Sequence, residues 1–326
     1  MEIILIIVIF LIISIVISFG IGANDETMAT LYGSKTLTMK EVLILATIFA
    51  ILGAIFLGRA VSETVGQDLL SFEVSNSIVL TILISTAIWL IVSSAYGLPI
   101  STTHATIGSI IGVGLLPQTG GGFLGVNWFT ILEMGIWWIL SPIIGFIVTY
   151  FAYKAIHKVI INKLSGFRSF ERVEKYFSYI LLAVICWTAF SRAGNDCSNA
   201  VGIVLGAEAS IDTTLLLIIT GLSLSSGIVI LGRGVIKNVG TITELHPSTA
   251  FASEIPIAVI LFFGTLLGIP LSGSHMLVAS LVGLAKARRA PTSKNVRKIA
   301  LIWILTFPIA AVLAILLYFP ISILNL

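Results

Sequence analysis

"SFGIGANDETMAT", residues 18–30, ends a run of nearly pure Ile, Leu and Val with Gly20 and Gly22, then breaks into Asn24, Asp25 and Glu26. "FSRAGNDCSNAVG", residues 190–202, makes the same transition, placing Asn195 and Asp196 a constant 171 positions beyond Asn24 and Asp25. An ionised Asp near the centre of a bilayer costs about 2.5–3.5 kcal/mol on insertion scales. A single carboxylate there reads equally well as a helix cap at the membrane surface; the duplication favours function.

The surrounding composition requires a membrane. The chain has 326 residues, 57% hydrophobic and 10% charged, with a mean hydropathy of +1.11, a balance that cannot clothe a soluble domain. Apolar runs predict ten segments, at about residues 2–20, 42–58, 74–95, 97–116, 128–152, 176–191, 213–232, 251–268, 269–285 and 299–323. The first run has neither a basic leader nor a small-residue cleavage site and is read as a retained span. If the N-terminus lies outside, 16 of the 18 Lys and Arg fall in inside loops, with Arg59 and Arg192 alone in outside loops. Both termini are therefore expected outside. This asymmetry accounts for the basic balance without nucleic-acid binding. Cys186 and Cys197 show no metal-ligand spacing and read as packed thiols.

The halves repeat beyond the Asn-Asp pair. "GLPISTTHATIGSIIGVGLL" from Gly97 matches "GIPLSGSHMLVASLVGLA" from Gly268 at the same offset of 171, and "LGRAVSETVG" from Leu57 matches "LGRGVIKNVG" from Leu231 at 174. Five segments separate equivalent positions, an odd number, so the second half crosses in the opposite sense. The expected fold is an all-α polytopic membrane protein, an inverted repeat of two five-segment halves. The first repeat is placed at 1–152, a basic cytoplasmic connector at 153–175 and the second repeat at 176–326.

The segments from Pro99 and Pro270 are short and begin Pro-x-Ser, with polar "STTH" and "SGSH" inside apolar sequence. Proline suits a helix start, and Ser101 and Ser272 are good N-caps. Each reads as a broken or re-entrant helix presenting its N-terminus, free N–H groups and positive dipole within the membrane. Two such ends make an anion cradle without an arginine. Gly20 with Gly22, and Gly194 with Gly202, are expected to let the chain unwind and expose carbonyls. With the Asp carboxylates and Asn amides these form a site for a hard cation such as Na+, or for a proton. Each Asp repels the anion until a cation arrives, which is itself a coupling mechanism.

"GAND" at Gly22–Asp25, "AGNDCSNAVG" at Ala193–Gly202, "GLPISTTH" and "GIPLSGSH" together resemble the inorganic phosphate transporter family, whose hallmark is a duplicated G-A-N-D-V-A-N-A element. The resemblance covers nearly the whole chain. It implies import of inorganic phosphate by symport with Na+ or H+, no enzymatic activity, residence in the cell membrane and a homodimeric assembly. It also implies that Asn24, Ser101, Thr102, Thr103, Asn195, Ser272, Gly273 and Ser274 hold phosphate. Asp25, Asp196 and the same two asparagines would hold Na+, and Glu63, Glu73 and Glu254 stand at acidic positions of family motifs. The chain departs from the family where Glu26, Thr27, Met28 and Ala29 replace V-A-N-A, and where the second element begins Ala-Gly.

Other readings compete. Sulfate-carrying relatives are expected to lack the Asn-Asp pair, which occurs twice here. A channel explains the polar re-entrant segments but not carboxylates beside an anion cradle. A hydrolase built on Ser101 with His104, or Ser272 with His275, lacks a third activating group. The two histidines read either as proton carriers or as rings held for structure. Trp138 and Trp303 read as interfacial or packing residues.

Overall fold

The computed structural model describes residues 2–96, 100–205, 211–292 and 295–323. It is all-helical among these: α1 Glu2–Ala23, α2 Ala29–Gly33, α3 Met39–Gln67, α4 Asn76–Ala95, α5 Thr102–Gly114, α6 Trp128–Val159, α7 Phe167–Leu205, α8 Thr213–Ile230, α9 Arg233–Gly240, α10 Pro247–Leu266, α11 Gly273–Arg288 and α12 Asn295–Ser322. Eight of them, α1, α3, α4, α6, α7, α8, α10 and α12, are long and apolar enough to cross a membrane. Helices α5 and α11 have 13 and 16 residues, about 20 and 24 Å at 1.5 Å per residue, short of a core about 30 Å thick. They are the two segments expected to be broken or re-entrant. Pro99, on which half of that expectation rested, lies outside the described residues.

The two halves do not pack as separate lobes. Helix α1 lies against α8 and α3 against α7; α5 lies against α12 and α11 against α6. Glycine permits these crossings. A Cβ at Gly53 would lie 2.0 Å from the carbonyl oxygen of Phe190, and one at Gly227 would lie 2.0 Å from that of Phe19. The two contacts are counterparts in the halves, and backbones touching through glycine are how apolar helices gain packing where lipid offers no hydrophobic drive. The outer surface stays apolar, with Phe56, Ile139 and Phe151 exposed.

Two sequence expectations need correction. The glycines beside the Asn-Asp pairs are not unwinding points: α1 runs through Gly20 and Gly22, and α7 runs unbroken through Gly194 and Gly202. They are sites of close approach, where a Cβ at Gly22 would meet the carbonyl oxygen of Leu224 and one at Gly194 would meet Leu57. Second, the sixth segment extends far beyond 176–191, because α7 has 39 residues. Arg192 therefore stands within a helix, 4% exposed, and not in an outside loop. The basic stretch 153–175 is largely helical, with α6 reaching Val159 and α7 starting at Phe167.

The halves differ in one conformational respect. The first breaks its opening helix into α1 and α2 at residues 24–28, while the equivalent α7 is continuous. The second breaks its next helix into α8 and α9, while the equivalent α3 is continuous.

Candidate substrate and ion site

Two serines start the short helices. Ser101 Oγ accepts from the backbone N–H of His104 at 3.2 Å, and Ser272 Oγ accepts from that of His275 at 3.4 Å, as N-caps do. The extended residues ahead of each cap are tied down by the Asn of the duplicated motif. Asn24 Oδ1 accepts from the N–H of Ile100 at 2.8 Å, and Asn195 Oδ1 from that of Leu271 at 3.1 Å. Their amides donate in parallel to Ser94 Oγ and Thr265 Oγ1. Both asparagines thus engage the backbone that leads into the broken helices.

The two helix starts are laced to each other. Thr103 Oγ1 donates to the carbonyl of Leu271 at 3.0 Å, and Ser274 Oγ donates to that of Ile100 at 3.2 Å. The cradle residues Ser101, Thr102, Thr103, Ser272, Gly273 and Ser274 therefore converge, and all are buried. Beyond them the rings of His104 and His275 meet at 4.6 Å between centroids, flanked by Trp138 at 4.4 Å and Trp303 at 4.2 Å.

The carboxylates gather beside this junction, around a cation that reading the sequence missed. Arg192 Nε donates to Asp196 Oδ2 at 3.1 Å, Nη1 lies 2.8 Å from Glu26 Oε1 and 4.0 Å from Asp25 Oδ1, and Nη2 donates to Ser274 Oγ at 3.0 Å. Asp196 also accepts from Thr102 Oγ1 at 3.1 Å. Asp25 accepts from the backbone N–H and hydroxyl of Thr27 at 2.7 and 2.5 Å. The expectation of a cradle without an arginine is overturned, because α7 stays helical and sets Arg192 one turn before Asp196. The signal was present in the unmatched acid Glu26, which needed a buried counter-charge, and in an Arg four residues ahead of an Asp.

Glu254 is fully buried on α10 and accepts from Thr30 Oγ1 at 2.7 Å. Glu63 is exposed on α3 and pairs with Arg59 at 3.0 Å, and Glu73 is exposed between α3 and α4. The structure thus does not bring these two to the junction. Among the described residues no group of three or more His, Cys, Asp and Glu has the arrangement of a metal site. The side-chain oxygens gathered at the junction are carboxylate and hydroxyl, donors that suit hard cations.

A family model described as the phosphate transporter family matches residues 21–314. The chain belongs to that family. That family is one of transporters, not of enzymes. Its similarity to individual proteins runs nearly end to end. It is 27% identical to a Thermococcus kodakarensis protein provisionally assigned as a phosphate permease, over 95% of this chain and 97% of that protein. It is 26% identical to the chloroplastic inorganic phosphate transporter 2-1 of Arabidopsis thaliana, over 91% of this chain and 69% of that one. A solved structure described as the sodium-dependent phosphate transporter superposes with a TM-score of 0.87 over 99% of this chain and 100% of that chain, at 24% identity. At that identity the likeness is one of fold.

Proposed function

We propose that this phosphate transporter family member imports inorganic phosphate across the cell membrane by symport with a cation, Na+ ahead of H+, through an inverted repeat of two halves assembled as a homodimer. One observation carries the coupling. Three carboxylates, Asp25, Glu26 and Asp196, surround a single guanidinium at the junction of two helix N-termini. Helix ends attract a phosphate, while the excess negative charge repels it. Cations bound at Asp25 and Asp196 lift that repulsion, and by linkage phosphate then tightens the cations to the same degree. The solved neighbour described as sodium-dependent supports Na+.

Labelled phosphate uptake into proteoliposomes tests this, under an inward Na+ gradient against an equal K+ gradient, with excess sulfate as competitor and Asp196→Asn as control. The expected result is uptake that needs Na+, ignores sulfate and is lost in the variant. Uptake driven by a pH gradient would replace Na+ with H+. Sulfate uptake without cation dependence would overturn the symport reading.

A further inference from the structure

Compared at the offset of 171, three of the positions where the two halves differ meet in space. Arg192 stands where the first half has Ile21, Glu26 where the second has Cys197, and Gly273 where the first has Thr102. These three departures touch. Arg192 Nη1 lies 2.8 Å from Glu26, and a Cβ on Gly273 would lie 2.8 to 3.0 Å from Nε, Cδ and Cζ of Arg192. In one half Thr102 puts a hydroxyl on Asp196. In the other half position 273 has no side chain, and the guanidinium fills its space, facing Glu26 and Asp25.

We propose that Arg192 is a tethered counter-cation, which neutralises Glu26 permanently and so takes the place of one coupling cation in the transport cycle. The inference rests on the reading of the chain as a cation-coupled phosphate symporter. The physical argument is charge balance in a dry site. A buried carboxylate without a partner is strongly disfavoured, and a guanidinium meets several carboxylates and hydroxyls at once through its fork of N–H donors. Here Nε donates to Asp196 and Nη2 to Ser274, while Nη1 is ion-paired with Glu26 at 2.8 Å, so the charge is held by protein groups. An ion arriving from water must fill whatever negative charge Arg192 leaves over. The number of cations carried then follows the fixed charge of this cluster.

A charge cycle tests the inference by the ratio of cations to phosphate, which does not depend on how much protein is active. Ratios are read in proteoliposomes from paired 22Na+ and 32P-phosphate fluxes, or from the reversal potential under a pH gradient if that gradient drives wild-type uptake. Arg192→Gln is expected to carry one more cation per phosphate than wild type, Glu26→Gln one fewer, and the double variant the wild-type number. If Arg192→Gln fails to fold, Glu26→Gln and the double variant still decide the matter. A ratio that stays constant across the variants would overturn the proposal, as would loss of phosphate binding in Arg192→Gln with the ratio of Glu26→Gln unchanged, which would make Arg192 a phosphate ligand. Wild-type uptake driven by neither gradient would overturn the underlying symport reading, before any variant is made.

Discussion

At the scale of single residues, the Asn of each duplicated motif does work that its neighbour Asp cannot. A carboxamide offers an acceptor and a donor together. Asn195 spends the acceptor on the N–H of Leu271 and the donor on Thr265 and the carbonyl of Ile269. Asn195→Leu is close in size but leaves a buried N–H and a carbonyl without these partners, and each orphaned group costs about 1–3 kcal/mol. The variant is expected to unfold at a lower temperature in detergent and to lose uptake, because the start of α11 is no longer anchored. Asn24→Leu should do the same through Ile100. An unchanged unfolding temperature in both would refute the anchoring role. Asp196 accepts from Arg192 and Thr102 through its two oxygens, so Asp196→Asn, which keeps the shape and one acceptor oxygen, is expected to act on coupling more than on the fold.

At the scale of elements, glycines decide which helices can touch. Gly227→Ala puts a methyl 2.0 Å from a backbone oxygen of α1, so α1 and α8 must separate. Overpacking of this kind destabilises by about 1–3 kcal/mol. Gly135→Ala on α6 is the internal control, because beyond its own stretch of helix backbone no atom lies within 4 Å of its Cβ position; there the gain in helix propensity, at most about 1 kcal/mol, stands alone. Thermal unfolding of the two variants should move in opposite directions, and a shared direction would refute the packing account. These glycines also mark the limit of sequence reading. Apolar runs and the repeated Asn-Asp and Pro-x-Ser stretches made the spans, the short helices and the caps legible, since each rests on local chemistry. A glycine that lets two helices cross looks the same in sequence as a glycine that bends one, so Gly194 and Gly202 were misread as unwinding points. Counting charges by loop placed Arg192 outside for a similar reason, because nothing local says that α7 carries on for 39 residues.

At the scale of the whole molecule, the two halves hold related sequences in unlike shapes. The first half breaks its helix at residues 24–28 and keeps α3 continuous, while the second keeps α7 continuous and breaks between α8 and α9 at residues 231–232. If the halves exchange these shapes, the resulting second state has α1 and α2 joined and α7 broken near Asn195–Asn199. The energies of the two states need differ by only a few kcal/mol for both to be populated. The paired short helices α5 and α11, laced together by Thr103 and Ser274, and the Arg192–Glu26 pair are expected to stay together through such an exchange. Hydrogen–deuterium exchange with and without saturating Na+ and phosphate reads this directly, since local opening governs amide protection. Conditions that favour the second state are expected to raise protection over residues 24–33 and lower it over 195–205, with the reciprocal change across 231–240 and 59–67. Protection that rises in all four segments together would mean that ligand merely tightens one state, and the exchange of shapes between the halves would be refuted.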